Sequence, residues 1–134
     1  MTLISGQESG SSEANHKVKT ILVVEDDKDI GCFLVEAIKE VTSYQALLVT
    51  DGYQALKAVH DIKPSLFLID YGLPHMNGLE LSDQFHATKE LESIPVLMIS
   101  ANCPWQEAQK RQFTCLPKPL ELDALLTTIH RLLA

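Results

Sequence analysis

Short apolar runs alternate with longer amphipathic segments from residue 20 to the end of the chain. Four runs have the length of buried strands and occupy residues 21–24, 46–49, 66–69 and 94–99. A fifth, shorter element at residues 116–119 holds one lysine between two prolines. This alternation is typical of βαβ units and predicts a parallel sheet.

Five helices are predicted after the strands. The first covers residues 27–41, and its apolar positions recur at helical spacing, namely Ile30, Phe33, Leu34, Ile38 and Val41. The second must end before Pro64, because the residue before a proline is disfavoured in the α conformation. Asn77 and Gly78 open the third helix, and a short fourth follows Pro104. The fifth, ending near Leu133, has the most regular apolar stripe.

Five strands and five helices in alternation predict a doubly wound α/β fold, a three-layer sandwich with right-handed crossovers. We expect the flavodoxin-like strand order 2-1-3-4-5, because it sets strands one and three side by side where the order reverses. Ligands of open α/β sheets bind at this point, outside the carboxyl ends of the strands. The polar residues that follow the strands are therefore the candidate functional residues.

Groups that phosphoryl chemistry requires stand at these carboxyl ends. Glu25 and Asp26 follow the first strand, and Asp70 follows the apolar run of the third. Ser100 ends the fourth strand, and Lys118 lies in the fifth element. Each residue alone is common in turns and helix caps, but their joint occurrence at one edge favours a functional site.

Asp70 is the expected nucleophile, because a carboxylate can attack a phosphoryl group and form an acyl phosphate. Since both reactants are anions, the site requires positive charge, and clustered carboxylates favour Mg²⁺. The expected ligands are Asp26 and Asp70 directly, Glu25 through water, and the backbone carbonyl of Gly72.

Lys118 and Ser100 are expected to contact the phosphoryl oxygens, the lysine as a permanent cation and the serine through its hydroxyl. An acidic residue just before a helix is otherwise most often an N-terminal cap. We assign that role to Asp27.

The composition limits the compartment and the partners. A net charge of −7 and a pI near 5.1 argue against direct binding to nucleic acid, which depends on Lys and Arg. Cys32, Cys103 and Cys115 are odd in number and far apart, so they suggest neither a disulfide framework nor a zinc site and fit a reducing cytoplasm. No segment has the length and apolarity of a membrane span. Polar residues 1–17 are expected to form a flexible tail before one domain at 18–134.

Four motifs together resemble the response-regulator receiver domain of two-component signalling, over residues 18–134. They are ILVVEDD with Glu25 and Asp26, LFLIDYGLPHMNGLEL with Asp70, MISAN with Ser100 and LPKPL with Lys118. The resemblance implies that Asp70 is the phosphoacceptor, that Glu25 and Asp26 are the acidic pair, and that Ser100 is the switch hydroxyl. It also implies a cis Lys118-Pro119 bond.

The resemblance implies a switch and not an enzyme. A sensor histidine kinase or a histidine phosphotransfer protein would donate the phosphoryl group, and the domain itself would catalyse the transfer with Mg²⁺. A downstream protein effector would detect the change on the face of helix four, strand five and helix five. The chain ends just after the last predicted helix, so we expect a stand-alone receiver or one excised from a larger protein.

Two departures from the family concern the output. Cys115 stands three positions before the lysine, where many receivers carry an aromatic residue coupled to the switch hydroxyl, so this coupling is expected to differ or be absent. Only 18 positions separate Ser100 from Lys118, and a glycine-alanine element is missing, so we expect a short or displaced fourth helix. Gly72 and Asn102 occupy positions that tune dephosphorylation in the family.

Three other functions can be weighed from the residues. A pseudo-receiver would keep the fold as a binding module without phosphorylation, although every required side chain is present. A phosphatase of the haloacid-dehalogenase type would need a second aspartate two positions after Asp70, where this chain has Gly72. A nucleotide-binding protein of the same fold would need a Gly-rich loop after strand one.

Overall fold

The computed structural model of the chain describes residues 18–134, so the expected tail at residues 1–17 lies outside the described residues. Five parallel strands form one sheet in the order β2-β1-β3-β4-β5, which confirms the predicted fold class and strand order. The strands are β1 (Thr20–Val24), β2 (Gln45–Val49), β3 (Leu66–Asp70), β4 (Val96–Ser100) and β5 (Thr114–Pro117).

One helix follows each strand. The helices are α1 (Lys28–Val41), α2 (Gly52–Ala58), α3 (Gly78–His86), α4 (Trp105–Arg111) and α5 (Leu122–Leu133). The fourth helix is short, with seven residues, as the shortened segment predicts. Within residues 18–134, no helix combines the length and apolarity that crossing a membrane requires.

The fourth and fifth strands begin two residues away from their predicted starts, whereas β1 and β2 each begin one residue earlier than predicted. The amide of Ile94 bonds to the carbonyl of Leu91 in a turn, so the fourth strand starts only at Val96. The fifth starts earlier than residue 116, because Thr114 and Cys115 already pair with β4.

The sheet is buried on both faces. Ile21 and Val23 of β1 pack into one apolar cluster, whereas Leu22 and Val24 pack into the cluster on the opposite face. All five residues of β3 and of β4 are buried. Strands covered on both faces by helices are expected to be apolar throughout, and this explains why the runs do not alternate with polar residues.

The start of α3 fits closely against the end of β3. Asn77 caps α3 by accepting a hydrogen bond from the amide of Glu80, and the Glu80 side chain accepts one from the amide of Asn77. The amide of Gly78 donates to the carbonyl of Tyr71 at 2.8 Å. A Cβ at Gly78 would lie 2.9 Å from both Asp70 O and Tyr71 Cα, so only glycine allows this approach.

Gly78→Ala is therefore expected to lower the free energy of unfolding by about 1–3 kcal/mol, because backbone atoms must shift to admit the methyl group. Chemical denaturation followed by circular dichroism measures the change. Gly72→Ala is the matched control, since its nearest neighbour would be Asp70 Oδ2 at 3.7 Å, an ordinary contact. Equal stability of the two variants would contradict the packing argument.

Candidate functional site

Three carboxylates meet where β1 and β3 end. Glu25, Asp26 and Asp70 each offer an oxygen, and these oxygens lie within 4.8 Å of one another. Glu25 and Asp70 are buried, whereas Asp26 is exposed. Their proximity follows from the pairing of β1 with β3, which aligns Val24 with Ile69. The cluster has the hard oxygen donors that Mg²⁺ prefers.

Burial perturbs the ionisation of Glu25. It raises the pKa of Glu25 to about 7, and the negative charge of Asp70 acts in the same direction. A hydrogen bond from the amide of Asp27 to Glu25 Oε2, 3.0 Å long, partly opposes this shift. A bound divalent cation would favour the ionised form.

Lys118 forms an ion pair with Asp70 in this cluster. Lys118 Nζ lies 2.8 Å from Asp70 Oδ1, and the hydrogen bond to Asp70 raises the pKa of Lys118. Asp70 Oδ1 is buried and, among the described residues, has no partner besides this ammonium group. The carboxylate therefore retains unused capacity to accept, which fits a metal ligand.

The backbone around Lys118 directs its side chain toward the carboxylates. The amide of Lys118 donates to the carbonyl of Ser100 at 2.9 Å, which extends the pairing of β5 with β4. The Lys118-Pro119 bond is cis, as the resemblance implies.

Ser100 is buried at the end of β4. Its Oγ accepts a hydrogen bond of 3.1 Å from the amide of Asn102. This bond uses a lone pair of the hydroxyl and leaves its proton available for an acceptor.

A crevice of about 510 Å³ opens above these residues, and we refer to it as the acidic crevice. Its borders include Asp70, Gly72, Ser100, Cys103 and Lys118. This volume is sufficient for a hydrated cation and a phosphoryl group. Asn102 also borders it and is exposed.

Asp27 has the capping role that the sequence predicts. Its side chain accepts hydrogen bonds from the amides of Asp29 and Ile30 at the start of α1. Asp27 therefore caps α1, whereas Glu25 and Asp26 form the carboxylate cluster with Asp70.

The expectation that the cysteines form no disulfide is wrong for one pair. Cys103 and Cys115 are bonded to each other, whereas Cys32 is free and exposed. They are 12 positions apart in sequence. The strand that follows α4, β5, pairs with β4, and this pairing brings Cys115 back beside the segment that contains Cys103. Their spacing contains no recognisable signal, because the contact arises from this return and not from a local motif.

An apolar groove beside the carboxylates was not anticipated from the sequence. This α1 groove, of about 300 Å³, is bordered by Ile30, Phe33, Pro119 and Leu120, together with Glu25 and Lys118. Ile30 is 44% exposed and Phe33 58% exposed, although helical spacing assigned both to the apolar face. The apolar face of α1 is wider than the sheet can cover, and this width is the feature of the sequence that could have indicated the groove.

Comparisons with known proteins show the family of the chain. The family model described as "Response regulator receiver domain" matches residues 21–130. The polar-differentiation response regulator DivK of Brucella anthropi is 29% identical over 115 residues, which cover 83% of this chain and 93% of DivK.

Two solved structures share the fold. The chemotaxis response regulator CheY4 of Vibrio cholerae has a TM-score of 0.79 at 22% identity, covering 87% of this chain and 99% of CheY4. The receiver domain of the sensor histidine kinase PA1611 of Pseudomonas aeruginosa has a TM-score of 0.77 at 21% identity, covering 87% and 98%. The PA1611 structure holds a magnesium ion in its active-site cleft.

Without divalent cations, the raised pKa of Glu25 should make stability fall as the pH rises. Between pH 4.5 and 7 the folded state holds a proton on Glu25 that the unfolded state has released, so deprotonation favours unfolding. Because the site opens to solvent, we expect a loss of about 1–2 kcal/mol, less than the full shift implies. Urea unfolding in EDTA at pH 5 and pH 7.5 measures it.

Glu25→Gln should remove this pH dependence, because glutamine does not titrate. Glu90→Gln, which changes an exposed acid, should keep the wild-type profile. Parallel profiles for the wild type and Glu25→Gln would show that Glu25 is not the group responsible.

Proposed function

This chain belongs to the response-regulator receiver domain family, and from that premise we propose that Asp70 accepts a phosphoryl group from a sensor histidine kinase or a histidine phosphotransfer protein. The family is a signalling family in which phosphorylation of an aspartate is typical. The main support at the level of residues is the position of Lys118 Nζ, 2.8 Å from Asp70 Oδ1 and beside two further carboxylates.

The proposed reaction is a nucleophilic displacement at phosphorus. A carboxylate oxygen of Asp70 bonds to phosphorus while the bond to the donor's imidazole nitrogen breaks, and the imidazole leaves with the bonding electron pair. Asp26, Asp70 and the carbonyl of Gly72 would hold Mg²⁺, with Glu25 acting through water. Bound there, the ion would supply the positive charge that lets two anions approach.

Lys118 and Ser100 have separate roles in this proposal. Lys118 pairs with Asp70 before the reaction, and its ammonium group forms an ion pair with a phosphoryl oxygen afterwards. Ser100 donates a hydrogen bond from its free hydroxyl to a second phosphoryl oxygen. Since Ser100 ends β4 and Lys118 follows β5, phosphorylation would draw the ends of these two paired strands toward Asp70.

We propose that the α1 groove docks the protein donor. It adjoins the site directly, because Glu25 and Lys118 border both. Phe33 gives it an exposed aromatic side chain, a residue type that is enriched at protein–protein interfaces.

The cellular location and the downstream partners of the domain are also part of the proposed function. We propose that the domain acts in the cytoplasm, signals to a protein effector through the face of α4, β5 and α5, and neither inserts into membranes nor binds nucleic acid directly. It is not an enzyme toward other substrates, since its only reaction is its own phosphorylation. The tuning roles expected of Asn102 and Gly72, which border the acidic crevice, belong to this proposal.

Incubation with acetyl phosphate and Mg²⁺ should add the mass of one phosphoryl group to the protein. Asp70→Asn should add none, because an amide is not a nucleophile toward phosphorus. Intact-mass spectrometry measures the gain, and Asp61→Asn, which alters an exposed aspartate, is the matched control. A wild-type protein that gains no phosphate, with or without Mg²⁺, would favour a phosphorylation-independent binding module.

Phe33→Glu should slow phosphotransfer from the cognate histidine protein by about tenfold, the equivalent of about 1.4 kcal/mol of docking energy. The rate with acetyl phosphate should not change, because a small donor needs no docking surface. The donor would be identified by profiling the histidine kinases of the same genome. Val41→Glu, at the far end of α1 and 61% exposed, is the control. A reduced rate with acetyl phosphate as well would mean that the variant damages the site itself.

A further inference from the structure

The Cys103–Cys115 disulfide closes the whole of α4 into a loop. Cys103 lies two residues before α4, and Cys115 is the second residue of β5. Their Cα atoms are 6.1 Å apart, within the usual range for a disulfide. The two ends of the α4 segment are therefore joined at one point on the sheet edge.

Few other contacts hold α4. Ala108 is the only buried residue of the helix, and Trp105 at its start is 60% exposed. The N-cap residue, Pro104, supplies no side-chain hydrogen bond. Arg111 pairs with Asp83 of α3 at 2.7 Å, but this ion pair is partly exposed to solvent, and such pairs stabilise little. A helix of seven residues is not stable alone, so the disulfide is a major constraint on its position.

The disulfide is also directly connected to the acidic crevice. Cys103 borders the crevice together with Asp70, Ser100 and Lys118. Ser100, three residues earlier, is held to β5 through the amide of Lys118. The loop from residue 100 to 103 is thus attached at both ends, by backbone pairing at Ser100 and by the disulfide at Cys103. Breaking the disulfide releases one attachment and leaves the other intact.

We propose that Cys103 and Cys115 form a reversible thiol–disulfide modification site that controls how the domain responds to phosphorylation. In the disulfide form, residues 100–111 are held in their present position, and α4 does not move when Asp70 is phosphorylated. In the dithiol form, this segment rearranges when the crevice is filled. The inference rests on the proposed function of Asp70, and it makes the output depend on thiol redox state as well as on the phosphodonor.

The oxidant in this proposal is a low-molecular-mass disulfide such as glutathione disulfide. The thiolate of Cys103, which borders the crevice, attacks one sulfur of the small disulfide and releases one glutathione thiolate. The thiolate of Cys115 then attacks the Cys103 sulfur of the mixed disulfide and releases the second. Two electrons pass from the protein to glutathione, and the two thiol protons pass to the released thiolates. In reduction by dithiothreitol, one of its thiolates attacks the protein disulfide and its second thiol then closes a cyclic disulfide, which releases both protein thiols.

The placement of the pair favours a regulatory role. Intracellular disulfides are usually transient and sense redox conditions, which accords with the cytoplasmic location proposed above. Cys103 borders the same crevice as the proposed phosphoacceptor, and the bond encloses the helix on the proposed output face.

Beryllofluoride with Mg²⁺, a mimic of the phosphoryl group, tests the inference, with Trp105 as the only tryptophan in the chain. The titration is performed on Cys32→Ser protein, so that the exposed thiol cannot form intermolecular bridges. We expect the dithiol form to show the full fractional change in fluorescence and tighter binding, and the disulfide form to lose most of both. Fractional change is the correct measure, since a nearby disulfide alters the baseline.

Cys103→Ser in the same background should behave as the dithiol form under oxidising and reducing conditions alike. This variant leaves the Cys115 side chain in the core. If it fails to fold, reduction of the parent protein provides the same comparison without a substitution.

Thermodynamic linkage provides a second readout. If the two forms bind beryllofluoride with different affinities, saturating beryllofluoride must shift the thiol–disulfide equilibrium toward the dithiol by the same factor. A tenfold difference in affinity corresponds to about 30 mV in a glutathione titration. Alkylation followed by mass spectrometry measures this equilibrium.

The outcomes separate this inference from the proposed function. The inference would be overturned, and the function of Asp70 would stand, if both redox states gained phosphate from acetyl phosphate and gave equal fluorescence responses, and if the glutathione titration showed no shift. Two thiols that stay free at any ratio of glutathione disulfide to glutathione would also overturn it. No phosphate gain and no beryllofluoride response in either state would overturn both proposals.

Discussion

The negative charge of Asp70 must be balanced in a site that already holds two other carboxylates. At about 4 Å, two like charges repel by about 4 kcal/mol at an effective dielectric near 20. The ammonium group of Lys118, 2.8 Å from Asp70 Oδ1, offsets part of this repulsion. Burial, reinforced by the negative charge of Asp70, raises the pKa of Glu25, so ionising all three carboxylates together is costly. The described protein groups thus leave an excess of negative charge that a divalent cation would reduce.

The sheet places these charges together through backbone pairing. The order β2-β1-β3-β4-β5 makes the strands that carry Glu25, Asp70, Ser100 and Lys118 successive neighbours, so their carboxyl ends share one edge. Burial on both faces holds these strands in register, because a slip by one residue would move each side chain into the apolar cluster on the opposite face. Such a slip would also change which residues lie at the crevice. The close approach of Gly78 fixes the backbone on the far side of Asp70. The apolar interior therefore supports the position of a polar site.

The region from Ser100 to Lys118 differs in character from the rest of the domain. Its helix is short and barely buried, and a disulfide fastens the segment to the sheet. The departures seen in the sequence, a cysteine at position 115 and a shortened segment, both concern this region. Both lie within one feature, because β5 pairs with β4 and brings Cys115 within bonding distance of Cys103. The expectation that the switch coupling differs from that of other receivers stays a prediction, and it now has a definite structural element on which to be tested.

The sequence by itself determined the alternation of strands and helices, the strand order through the position of the polar strand ends, and the capping role of Asp27. These depend on local periodicity and on residues adjacent to strand ends, which a linear pattern contains. It also named the residues that lie together around Asp70. Only the tertiary structure decided the Cys103–Cys115 bond and the exposure of Ile30 and Phe33. The path of the chain around α4 brings the two cysteines together. The area of α1 that the neighbouring elements cover decides how far Ile30 and Phe33 are exposed. Neither distance nor coverage is a property of residues that are close in sequence.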